Sequence, residues 1–170
     1  MQENTVIPET EFRTLTVASP EPIDRTTAGT VAGTGASLDL GAVDTTDEAQ
    51  DIPVKVVWWR VKDMKGNSEI SNIRVWLEGT DAFTGTVSWY MDITDTWTTG
   101  KTPVEVQTGL PGAAPTAEDE ANITRIGGGT ITGVTHDHTT QYIYISGTIG
   151  VNETTGIKTS LKVTVKYDYH

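Results

Sequence analysis

The chain has 170 residues, no cysteine and a formal net charge of −11, which excludes disulfides, Cys₄ zinc sites, iron–sulfur clusters and thiol catalysis. Ten of the 23 acidic residues but two of the 12 basic ones fall in residues 1–52. A phosphate backbone repels such a surface, so no nucleic-acid partner is expected; it serves solubility or meets a basic protein or divalent cations.

Hydrophobic residues make up 36% of the chain, enough for one domain with a core, or one domain plus an arm. No run approaches the roughly 18 apolar residues of a membrane helix, so no membrane partner is expected. The opening Met1-Gln2-Glu3-Asn4 has no basic n-region and no apolar h-region follows. Production in the cytoplasm without an export signal is the expectation.

Residues 1–34 read as an extended N-terminal arm. Pro8, Pro20 and Pro22 interrupt regular structure, and residues 26–35 (TTAGTVAGTG) have the composition of a flexible linker. Phe12, Leu15 and Val17 mark one short strand. So few large apolar side chains do not offset the entropy of ordering. The arm is therefore expected to be disordered or ordered by a neighbour, with Phe12, Leu15 and Val17 as its partner contacts.

Residues 35–170 read as a β-sandwich domain. Residues 37–40 (SLDL) alternate polar and apolar, and Asp44, Asp47, Glu48 and Asp51 form an acidic loop. Residues 54–61 (VKVVWWRV) are apolar on both faces, as in a central strand: Val54, Val56, Trp58 and Arg60 on one, Lys55, Val57, Trp59 and Val61 on the other. Met64-Lys65-Gly66-Asn67 reads as a turn. In the next strand Ile73, Val75 and Leu77 point one way, Asn72, Arg74 and Trp76 the other. Residues 86–93 (TVSWYMDI) place Val87, Trp89, Met91 and Ile93 on one face.

Residues 141–149 (QYIYISGTI) and 158–169 (KTSLKVTVKYDY) form the closing strands. In the last, Leu161, Val163, Val165 and Tyr167 alternate with Ser160, Lys162, Thr164 and Lys166, so Leu161, Val163 and Val165 are expected in the core. No stretch has a helical period. Short strands with turn chemistry between them indicate an all-β, Ig-like or related antiparallel β-sandwich.

No motif specifies catalysis, and no enzyme or cofactor is expected. His136-Asp137-His138 has two of the four ligands a zinc site needs. The acidic loop lacks the ligand spacing of an EF-hand, so no metal is assigned. Asp92 and Asp95 resemble a carboxylate pair, but they sit where a strand runs into a turn, and Asp there accepts backbone hydrogen bonds. The glycine run Gly127-Gly128-Gly129 is not a phosphate cradle. Trp58 and Trp59 face opposite ways. Trp58, Trp59 and Trp76 are the candidate outer-face contacts, for a covering loop, a neighbouring subunit or a sugar ring. The sequons at Asn122 and Asn152 carry little weight without a secretion signal.

The runs LDLGAV, VKVVWWRV, ISNIRVWLEG and VSWYMDITDTWT, with the ending YIYISGTIGVNETTGIKTSLKVTVKY, resemble β-sandwich virion proteins of tailed bacteriophages over roughly residues 36–170. The resemblance implies a non-enzymatic capsid decoration or cement protein of the virion, made in the host cytoplasm. It implies the major capsid protein or other virion proteins as partners, and a homo-oligomer or symmetric array. A carbohydrate-binding or adhesive module of a fibre or cell surface is the alternative.

Overall fold

The structure, a computed structural model, describes residues 6–25, 27–32, 41–78, 87–100, 131–132, 139–154, 156 and 162–170. Among them all regular structure is β-strand: β1 (Glu9–Leu15), β2 (Thr30–Ala32), β3 (Gln50–Asp63), β4 (Glu69–Glu78), β5 (Val87–Thr94), β6 (Ile131–Thr132), β7 (Tyr142–Ile149) and β8 (Lys162–Tyr169). They form two antiparallel sheets packed as a β-sandwich-like fold, one ordered β2-β1-β3-β7-β5 and the other β6-β4-β8. The expected strand at 37–40, the histidine pair, the glycine run, the Asn122 sequon and Leu161 lie outside the described residues, as does the expected boundary at residues 34 and 35.

The inner faces meet in one apolar core. Val57, Trp59 and Val61 of β3, Ile143 and Ile145 of β7, and Trp89 and Met91 of β5 face Ile70, Ile73, Val75 and Leu77 of β4. The alternation expected for β3 holds, and its central position explains why both its faces are apolar. Trp89 lies across from Gly147; a Cβ on that glycine would stand 2.9 Å from the indole, so the missing side chain leaves the seat for the ring.

Two of the three register shifts among the described residues reset the alternation of the core strands. Between Ile52 and Lys55 β3 advances three residues while β7 advances from Gly147 to Ile145. Pro53, which has no N–H for the ladder, sits in the gap. As a result Ile52 joins the core with Val57 rather than siding with Val54 and Val56. In β4 the ladder slips between Ser71 and Arg74. Asn72 takes the extra position with φ of 50°, a left-handed value that Asn tolerates better than most residues, and its side-chain amide donates to Asp168 Oδ2 at 2.9 Å.

The turn expected at Met64-Lys65-Gly66-Asn67 carries the chain from the larger sheet to the smaller. Lys65 and Gly66 both have positive φ, and Asn67 N donates to Met64 O at 3.0 Å. The Asn67 side-chain amide also donates to Val6 O at 2.7 Å, tying the corner to the N-terminal segment.

Two expectations are corrected. Val163 and Val165 face the core but are half-buried, because β8 is an edge strand of its sheet and its inner face lies at the rim of the sandwich. The larger correction concerns the arm. Residues 9–15 are a strand inside the five-stranded sheet, in register with β3 from Thr10↔Val61 to Leu15↔Val56, and β2 pairs on the far side of β1. The neighbour that orders the N-terminal segment is the chain's own sheet.

Candidate functional site

β1 and β2 form a hairpin whose connection does not turn tightly. Residues 16–25 and 27–29 lie as a strap over the outer face of the larger sheet. That face is apolar because of the strand period: Tyr142 and Tyr144 alternate with Ile143 and Ile145, and Val56 and Trp58 with Val57 and Trp59. Val17 of the strap is buried among Val56, Trp58, Tyr142 and Tyr144, with Leu15, Val54 and Trp97 at the margin.

The aromatic rings under the strap are amphipathic, and their polar atoms find partners on or beside it. Trp58 Nε1 donates to Arg25 O at 2.8 Å. Trp97 Nε1 donates to Ser19 O at 3.1 Å. The Tyr142 hydroxyl donates to Glu21 Oε1 at 3.0 Å. The Tyr144 hydroxyl donates to Thr96 O at 3.3 Å and accepts from Thr98 N at 3.1 Å. Trp58 and Tyr142 meet edge to face, with centroids 5.9 Å apart. Burial is the main cause that raises the Tyr142 phenol far above its ordinary value, and the Arg25 cation opposes it.

Two arginines fix the downstream half of the strap. Arg13 is buried and donates to the carbonyls of Thr27, Ala28 and Gly29, with Nε to Ala28 O at 2.6 Å. Its charge is met by Glu11 at 2.6 Å, a carboxylate shared with Arg60 at 3.2 Å. Arg25 stacks over Tyr142, its guanidinium carbon 3.6 Å from the ring centroid, and donates to Thr140 O and Asp95 O. Gly29 has φ of +72°, and a Cβ there would overlap the Thr14 carbonyl and stand 3.1 Å from the Trp58 ring. The strap therefore presses against the sheet at a point that requires glycine.

The residues expected to contact partners are used internally. Phe12 is half-buried against the inter-sheet core, opposite Trp59. Leu15 and Val17 serve the cluster under the strap. Trp58, Trp59 and Trp76 are at most 3% exposed. Trp59 lies between the sheets, and Trp58 is on an outer face whose covering loop is the strap. Trp76 alternates with Val75 and Leu77 on the other face of β4 and is also buried.

Asp44, Asp47 and Glu48, with Gln50, line an open hollow, while the Asp51 carboxylate accepts from the Thr148 hydroxyl at 2.6 Å. The Thr46 hydroxyl and amide hold the Asp44 carboxylate below its usual range. Among the described residues no group of three or more His, Asp or Glu side chains is placed to hold a metal ion. Asp95 sits at the edge of the strap, its carboxylate 3.9 Å from Arg25, and Asp92 lies opposite Tyr144.

The residues missed from the sequence are Arg13, Arg25, Glu21, Tyr142, Tyr144 and Trp97. One signal was available: Arg13 and Arg25 are the two cations of the acidic first 52 residues. A lone Arg in such a stretch is suited to binding several oxygen acceptors in one fork, and both do so here.

Among the described residues the strap leaves one large apolar side chain outside. Ile23 is fully exposed, at 105%, at the crest of the segment. Comparisons of this chain with protein-family models, with curated proteins and with solved structures found no match.

Proposed function

We propose that the chain is a non-enzymatic structural protein of a tailed-bacteriophage virion. In this reading it is an Ig-like decoration or cement module that binds the major capsid protein or another virion protein in a symmetric array. The sequence resemblance over residues 36–170 supports the reading. The structural observation that carries it is the strap: the chain fixes an apolar side chain, Ile23, fully in water on a segment bonded to the sheet on both sides. A rigid apolar projection on an acidic surface suits recognition of another protein's surface.

The carbohydrate-binding alternative relied on exposed tryptophan. With Trp58, Trp59 and Trp76 buried, it loses the stacking platform those residues were to supply. The test is co-purification. Particles from the phage that carries this sequence are banded in a density gradient and probed for the chain by mass spectrometry. The chain is expected in the particle band in fixed stoichiometry; its absence from washed particles overturns the reading.

A further inference from the structure

We propose that the crest of the strap, Pro20–Asp24, is a docking knob that inserts Ile23 into an apolar pocket rimmed by Lys or Arg on a protein of the particle. The proposal rests on the virion reading and names the contact that reading needs.

The first observation is exposure. Among the described residues Ile23 is the most exposed large apolar side chain, at 105%, against 45–66% for Val6, Ile7, Val31 and Val151. The second is rigidity. Pro20 and Pro22 restrict φ on both sides of Glu21. Upstream, Ser19 N donates to Thr16 O and Ser19 O accepts from Trp97. Glu21 accepts from the Tyr142 hydroxyl. Downstream, Asp24 O accepts from Ala28 N, Asp24 Oδ2 accepts from the Thr27 hydroxyl, and Arg25 O accepts from Trp58. A flexible tip would fold its isoleucine back onto the sheet; this one is held away from it. A side chain already held in place loses little freedom on binding, which favours affinity.

The third observation is the sorting of charge. Arg25 is turned inward over Tyr142, with its side chain 11% exposed. The carboxylates of Glu21 and Asp95 remain 52% and 45% exposed, and Asp24 is exposed. Arg25 lies 3.4 Å from Glu21 and 3.9 Å from Asp95, so one withdrawn cation is set against three carboxylates and the exposed side of the crest keeps a net negative charge. The matching surface is an apolar pocket bordered by Lys or Arg.

The experiment uses particles assembled without the chain and re-bound with full-length protein. Wild type, Ile23→Asp, Ile23→Ala and Val151→Asp are compared by co-sedimentation; Val151 is another exposed apolar residue, on the turn after β7. All four are expected to melt together, since neither position is buried. The knob predicts that Ile23→Asp weakens binding about tenfold or more, as for a hot-spot residue, and Ile23→Ala by less. Val151→Asp should bind like wild type. Raising salt from about 0.05 M to about 0.5 M should weaken wild-type binding several-fold, because exposed charges are screened. Wild type and Ile23→Asp binding equally overturns the knob and leaves the virion reading standing. Failure of wild type to bind overturns the virion reading, and the knob with it. Salt-independent binding removes the basic rim from the proposal.

Discussion

Trp58 Nε1 donates to the main-chain carbonyl of Arg25 at 2.8 Å, while the Arg25 guanidinium stacks on Tyr142, the edge-to-face neighbour of Trp58. Arg25 is thus held to Trp58 directly through its main-chain carbonyl and indirectly through Tyr142, which touches both residues. The strap is fixed where it crosses the most buried part of the outer face, and Ile23 is presented two residues upstream. Trp58→Phe keeps most of the ring and deletes the donor. It is expected to lower stability by roughly 1–3 kcal/mol, because the Arg25 carbonyl loses its partner and the smaller ring leaves a void. Amide hydrogen exchange should accelerate in residues 19–25 before it does in β3 or β7. Unchanged protection there would show that the indole hydrogen bond does not hold the strap.

Gly29 and Gly147 are expected to be intolerant of a side chain for different reasons. At Gly29 the backbone has positive φ and the Thr14 carbonyl occupies the place of a Cβ. At Gly147 the Trp89 ring does. Alanine at either position should destabilise by about 1–3 kcal/mol, the usual range for overpacking. Gly29→Ala should loosen the strap, and Gly147→Ala should shift Trp89 fluorescence. Gly100, with open space where a Cβ would stand, is the control. Denaturant melts in which all three variants coincide would contradict the packing described for both glycines.

The core and the rim of the sandwich should respond differently to truncation. Ile143 is fully buried on β7, an interior strand of the larger sheet, and Ile143→Ala is expected to cost about 2–5 kcal/mol. Val163 and Val165 face the same core from an edge strand and are half-buried. Their alanine variants are expected to cost roughly 1 kcal/mol each, since less apolar surface is lost. Equal losses from urea melts at all three positions would mean that β8 lies deeper than its edge position indicates.

Alternation made several strands legible. The faces of β3 and β5 follow from alternation such as Val57 and Trp59 against Val56 and Trp58. Bulges were not legible, because one extra residue at Pro53 or Asn72 reverses every later side chain without changing composition. β1 looks locally like an isolated short strand because its partner, β3, begins 35 residues after it ends, and local counts of apolar residues do not register distant pairing. The site was hidden for a related reason. The strap is ordered largely by hydrogen bonds from Trp58, Trp97, Arg13 and Arg25 to main-chain carbonyls, and every residue except its type-specific donors looks alike to such a bond. That Trp58 and Trp59 face opposite ways was legible; what covers each was not.

Alkaline pH should act through the tyrosine under the strap. Burial raises the Tyr142 phenol above its ordinary value, so the folded state holds that proton more tightly than the unfolded chain does. Its contribution to stability is complete below the unfolded value of about 10 and is lost as pH rises above it toward the folded value. The transition should appear as loss of strap protection together with tyrosinate absorbance. Tyr142→Phe should be less stable at neutral pH, having lost its bond to Glu21, yet less sensitive to alkali. An identical alkaline slope in the two proteins would exclude Tyr142 as a contributor.

Removal of the N-terminal segment is the most direct test of the correction to the arm. A mobile arm can be deleted without effect on the rest of the fold. Here deletion of residues 1–32 would strip β1 and β2 from the sheet, expose the edge of β3 along the register from Thr10↔Val61 to Leu15↔Val56, and uncover Trp58, Tyr142 and Tyr144. It would also leave Arg60 without the Glu11 carboxylate. Bare strand edges and exposed aromatic surface favour association. The truncated chain is expected to melt about 10 °C or more below the full chain, a loss of several kcal/mol for a protein of this size. It should also bind a hydrophobic dye and sediment as oligomers. Adding the deleted segment as a peptide should restore part of the melting temperature, because β1 pairs through backbone groups that a separate strand can supply. A truncated chain that stays monomeric and melts with the full-length protein would return residues 1–32 to the status of a dispensable arm.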